Sequence, residues 1–60
     1  MAWVAVDKDG TELIFNNEPS REDYVWVDPH WEEFIKLPKG TIKKLIGREL
    51  TWNDEPVELK

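Results

Sequence analysis

Residues 5–15 read AVDKDGTELIF, two apolar runs joined by Asp7-Lys8-Asp9-Gly10. The joint decides the fold, because it reads either as a calcium loop or as the tip of a β-hairpin. An EF-hand loop sets oxygen ligands at alternate positions, a glycine at the sixth and a glutamate at the twelfth, between two helices. Here Gly10 directly follows the second acid, and the twelfth residue counted from Asp7 is Glu18. The flanks, Ala2–Val6 and Leu13–Phe15, are rich in β-branched and aromatic residues and read as strands. Asp-Gly between such runs is a strong hairpin signal, since glycine tolerates the positive φ that tight loops require. The hairpin reading follows.

Working outward, residues 16–23 hold Pro19, Ser20 and several charges and read as a loop. Tyr24–Val27 resumes strand composition until Asp28-Pro29 stops it. Phe34–Leu37 is a fourth strand, ended by Pro38-Lys39-Gly40, because proline cannot donate to a ladder. The period then changes. Ile42, Leu45, Ile46 and Leu50 recur at helical spacing, with Thr41 placed as N-cap and Gly47 as the stop, which predicts a short helix over 41–47. Its lysines fall opposite the apolar residues. Residues 51–56 form a turn in which Thr51 and Asp54 have capping-box-like spacing, and Val57–Leu59 alternates as a last strand.

The fold class expected is therefore α+β: a twisted antiparallel meander of three to five strands with one helix on it. Val4, Val6, Leu13, Phe15, Val25, Val27, Ile35, Leu37, Ile42, Leu45, Ile46 and Leu50 are the expected hydrophobic set. Leu45→Ala is accordingly expected to cost about 2–5 kcal/mol.

A chain of 60 residues holds one domain, 1–60, and buries only about 60% of the surface its unfolded form exposes. There is no cysteine, hence neither a disulfide frame nor thiolate zinc ligands. The 40% of hydrophobic residues, with four tryptophans among them, must supply the stability. No window approaches the ~20 apolar residues of a membrane span, and the opening MAWVAVD lacks a signal-peptide pattern. A cytoplasmic protein with no membrane contact is expected.

Net charge is −5, carried unevenly: residues 1–35 hold −7, residues 36–48 hold +5 with no acid, and residues 49–60 hold −3. The overall field repels polyanions, which disfavours nucleic acid. Within the basic island, Lys39, Lys43, Lys44 and Arg48 offer a positive stripe to a phosphate or an acidic protein surface, or form an ordinary solvated helix face.

Catalytic signatures are missing. The single histidine, His30, stands among carboxylates in a polar loop and reads more readily as a turn residue than as a base or ligand. Gly10, Gly40 and Gly47 stand alone and make no phosphate loop. No enzyme activity, catalytic residue, metal or cofactor is expected. The aromatics have two readings. Alternation sets Trp3 beside Ala5 and Trp26 beside Tyr24, with valines on the opposite faces, so both faces of the sheet are partly apolar. One helix covers one face, and the other is closed by curling of the sheet or left exposed. Trp3, Tyr24, Trp26 and Trp31 are thus either core filler or a partner-binding surface.

Residues 35–59, IKLPKGTIKKLIGRELTWNDEPVEL, resemble a segment of a group of very short bacterial and phage-type proteins that share the opening W-[VI]-A-[VI]-D-K-D-G-T. The resemblance covers most of the chain and implies a small cytosolic accessory protein; it brings no activity or cofactor. The order of strands is also similar to an SH3-like barrel. The chain departs from that family in lacking an ALYDY-type stretch and in its longer helix, so proline-peptide binding through Tyr24, Trp26 and Trp31 is an analogy only. The expectation is a non-enzymatic protein–protein interaction or regulatory module, with a homodimer through strand edges as one form of it. The alternative is binding of nucleic acid or another polyanion through the basic helix 39–48.

Overall fold

The structure, a computed structural model, describes residues 2–30 and 34–60. Among them are strands β1 (Ala2–Val6), β2 (Glu12–Phe15), β3 (Ser20–Glu22), β4 (Val25–Val27), β5 (Phe34–Leu37) and β6 (Val57–Leu59), and one helix, α1 (Thr41–Ile46). The protein is α+β with antiparallel sheets that stay open; no closed barrel forms among the described residues.

The opening hairpin is as its sequence reads. The Asp7 amide donates to the Thr11 carbonyl at 2.9 Å, and the Gly10 amide donates to the Asp7 carbonyl at 2.9 Å. Gly10 sits at φ 94°, where a Cβ is strained. Asp9 Oδ1 accepts from the Thr11 amide at 2.9 Å, so the loop satisfies its own polar groups. The register that follows pairs Trp3 with Phe15, Val4 with Ile14 and Ala5 with Leu13. Because side chains alternate, this places Val4, Val6 and Ile14 on one face and Trp3, Ala5, Leu13 and Phe15 on the other.

β5 adds to β2 and β6 adds to β1, giving the order β5-β2-β1-β6. β3 falls in the stretch read as loop. It pairs with β4 as a separate two-stranded hairpin, with Ser20 opposite Val27 and Glu22 opposite Val25. The third expected strand therefore does not extend the main sheet. It turns onto it, because Trp26 finds its burial on the face of Ala5, Leu13 and Phe15.

Both faces are covered, by different means. On one, α1 and the segment after it set Ile42 and Leu50 on Val4 and Val6, with Ile14, Leu37, Ile46, Val57 and Leu59 around them. On the other, the β3–β4 hairpin sets Trp26 on Ala5, Leu13 and Phe15, flanked by Trp3 and Trp52. Neither curling nor exposure closes the second face; a third layer does. Polar pins hold that layer in place. The Trp26 amide donates to Asp7 Oδ1 at 2.9 Å, and its indole Nε1 donates to the Val6 carbonyl at 2.9 Å. Beside them, the Lys8 amide donates to the Tyr24 carbonyl at 3.1 Å.

The expected core needs correction in both directions. Val25, Ile35 and Leu45 are 42%, 65% and 51% exposed, whereas Ala5 and Trp26, not among the expected set, are 1% and 4% exposed. A helix of six residues has fewer than two turns and can seat only the side of Ile42 and Ile46 on the sheet, so Leu45 faces water. Thr41 is not the N-cap either. Gly40 occupies that position, and the cap comes from a distance: Glu12 on β2 accepts from the Gly40 amide at 2.8 Å and from the Ile42 amide at 2.9 Å. Gly47 ends the helix as read, at φ 81°, its amide donating to the Lys43 carbonyl at 2.8 Å.

Candidate partner-binding surfaces

The aromatic candidates separate. Trp26 is core, and its ring meets Trp52 edge-on at 5.8 Å between centroids. Trp3 is half-buried against the same cluster. Tyr24 is 64% exposed, with the Lys8 ammonium 4.7 Å above its ring. Trp31 lies outside the described residues. SH3-like use of Tyr24, Trp26 and Trp31 as one aromatic platform is ruled out by the burial of Trp26.

Trp52, which composition alone leaves in a turn, links the layers. Its turn is closed by the Asp54 amide donating to the Thr51 carbonyl at 3.0 Å and by Asp54 Oδ2 accepting from the Thr51 amide at 2.9 Å. The second bond, with the Thr51 hydroxyl adding to it, holds the Asp54 carboxyl below its usual range. Arg21 on β3 then stacks 4.7 Å from both the Trp26 and Trp52 rings and donates to the Trp52 carbonyl at 2.6 Å. One planar guanidinium ties the β3–β4 hairpin to the Thr51–Asp54 turn, a role its ring stacking and fixed donors suit. The sequence signal was Arg21 itself, one of two basic residues in an acidic stretch.

Of the basic island, Lys39, Lys43, Lys44 and Arg48 are all exposed. Lys43 and Lys44 lie in the last turn of α1, where positive charge complements the helix dipole. The Arg48 guanidinium donates to the Glu49 carbonyl at 3.4 Å. Lys39 and Lys43 meet Lys8 around an open groove of about 810 Å³, lying between the first hairpin turn, the entry to α1 and residues 49–53. Val6, Ile42 and Leu50 give it an apolar floor, and Trp52 a wall.

A second surface lies at the edge of the sheet. β5 pairs with β2 on one side and with no strand on the other among the described residues. Ile35 lies on the α1 face by register and is 65% exposed; Phe34 is 50% exposed, leaning on Phe15 at 5.6 Å between centroids. β6, at the opposite edge, has all three residues half-buried.

The acids near the first turn are already engaged. Burial raises the Asp7 carboxyl above the usual range, against the opposing pull of the Trp26 amide. The hydrogen bonds from Thr11 lower that of Asp9. Asp28 is buried and accepts from the His30 amide at 2.7 Å and from Asn17 Nδ2 at 3.3 Å, while His30 itself is exposed. Among the described residues, no three His, Asp or Glu side chains gather as a metal site, and no helix is long and apolar enough to cross a membrane.

Compared with protein-family models, curated proteins and solved structures, the chain matches none.

Proposed function

We propose that the protein is a non-enzymatic interaction or regulatory module, and that it meets a protein partner along the open edge of β5. The carrying observation is the exposure of Ile35 at 65% and Phe34 at 50%, on opposite faces of one edge strand, with Leu45 at 51% on the helix that covers the face of Ile35. Single exposed apolar residues are ordinary on a surface. Two adjacent ones on a strand edge that no strand pairs among the described residues are not, since such an edge is also a template for another strand. A partner strand added there gains main-chain hydrogen bonds and covers these side chains, at about 25 cal/mol per Å² of apolar surface removed from water. The partner is another protein or a second copy. A small bacterial or phage-type accessory protein acting in the cytoplasm, as the resemblance of residues 35–59 implies, suits this reading.

The test is affinity capture from host lysate with the parent chain and Ile35→Glu as baits, alongside sedimentation of both over a range of concentrations. A partner or a dimer present with the parent and lost with Ile35→Glu supports the proposal. Equal capture by both baits contradicts it.

A further inference from the structure

We propose that the partner of the β5 edge is a second copy of this chain, joined β5 to β5 in antiparallel fashion with Ile35 opposite the partner's Ile35. The inference rests on the interaction-module reading and names that module's partner. On its inner side β5 pairs with β2, and among the described residues Phe34–Leu37 make no backbone hydrogen bond outside that ladder. The outer row of main-chain groups is left for another strand. β6, at the other edge, is half-buried along its length and offers less.

Symmetry narrows the register. Two antiparallel copies of one strand are related by a twofold axis perpendicular to the sheet, so each face continues into the same face of the partner. Opposite residues share a face, and the axis must therefore cross the strand pair at one residue, which stands opposite itself. Centring on Lys36 sets ammonium against ammonium and brings Pro38, which cannot donate, opposite Phe34. Centring on Leu37 draws Pro38 into the ladder as well. Centring on Phe34 sets Ile35 against residue 33, a glutamate. Ile35 is left as the centre. There the partner's Ile35 covers Ile35 on the α1 face, and on the other face Lys36 lies opposite the partner's Phe34, twice by symmetry. The strand is thus complementary to itself: its exposed apolar residues are matched on both faces, and its one charge meets a ring.

Closure favours a second copy too. β5 against β5 is isologous and consumes both open edges, making one sheet in the order β6-β1-β2-β5-β5-β2-β1-β6. β5 against β6 of a next copy leaves a free edge at each end and grows into a filament. So short a ladder makes a small interface, below about 1,200 Å², and the dimer is expected to be half-formed between about 10 µM and 1 mM.

The experiment is sedimentation equilibrium of the full chain over that concentration range, beside Ile35→Glu, Ile35→Lys and their equimolar mixture, with circular dichroism to check that both variants fold. The proposal expects the parent to dimerise and each variant alone to associate at least about tenfold more weakly, because like charges then stand opposite. The mixture regains association, since the introduced carboxylate and ammonium then face each other. Isotope-filtered NMR of labelled and unlabelled parent needs no variant, and expects contacts between Ile35 and the partner's Ile35. A parent still monomeric at about 1 mM, variants that dimerise as the parent does, a mixture no tighter than its components, or a dimer without the Ile35 contact each overturn the proposal. A monomeric parent whose lysate capture is still lost on Ile35→Glu rejects the second copy alone and leaves the β5 edge to another protein. A monomer with equal capture by both baits rejects the edge reading beneath.

Discussion

Asp7 is a buried carboxyl whose Oδ1 holds the Trp26 amide at 2.9 Å, and through it the hairpin layer. Burial raises its pKa above the ordinary 3.8. A carboxyl so raised keeps its proton in the fold at pH values where the unfolded chain has lost it. Its contribution therefore favours the fold at low pH and declines as pH rises from 3.8 through the raised value. Asp9 and Asp54 run the other way: their values are lowered, so what they add is present above 3.8 and is lost as pH falls through the lowered values. Urea unfolding across a pH series separates the two. Asp7→Asn keeps an oxygen for the Trp26 amide, removes the decline, and is at least as stable as the parent at neutral pH. Asp7→Ala strands that amide and costs about 1–3 kcal/mol.

The helix shows how an element of six residues is held by what lies outside it. So short a helix is not stable alone. Glu12 caps it from β2, so Glu12→Ala loses the bonds to the Gly40 and Ile42 amides and is expected to cost about 1–2 kcal/mol. Faster hydrogen exchange at those two amides locates the loss. Ile42 is 1% exposed, so Ile42→Ala costs about 2–5 kcal/mol in the same denaturation assay. Leu45→Ala, at 51% exposure, costs less than about 1 kcal/mol, in place of the core-sized loss that its helical spacing implies. The hairpin turn, the helix stop and the Thr51–Asp54 turn were legible in the sequence because each rests on local chemistry: Asp-Gly, a glycine after an apolar period, a threonine three residues from an acid. The cap was not, because Glu12 is 28 residues from Gly40 and nothing near the helix reports it. Leu45 was misread since period tells which residues share a face, and only the helix's length and placement decide how much of that face is covered.

At the scale of the whole molecule, the sheet's two apolar faces were legible from alternation, and what covers the second was not. Ser20–Glu22 has no apolar residue and gives no strand signal, yet it pairs with Val25–Val27 and brings Trp26 and Arg21 over the sheet. Of the candidate surface, the basic residues were legible from the lysines between Pro38 and Arg48; the groove that Lys8, Lys39 and Lys43 line needed the fold. Composition places Ile35 in the core, although Lys36 beside it and Pro38 after it are the marks of an edge. The arrangement divides the large apolar residues in two: those that hold the fold, Trp26 foremost, and those left exposed, Ile35 foremost. Comparing the unfolding free energies of Trp26→Ala and Ile35→Ser is the direct test of that division. The account predicts a loss of about 3–5 kcal/mol for Trp26→Ala and under about 1 kcal/mol for Ile35→Ser, with Ile35→Ser still folded. A stable Trp26→Ala beside an unfolded Ile35→Ser would contradict it.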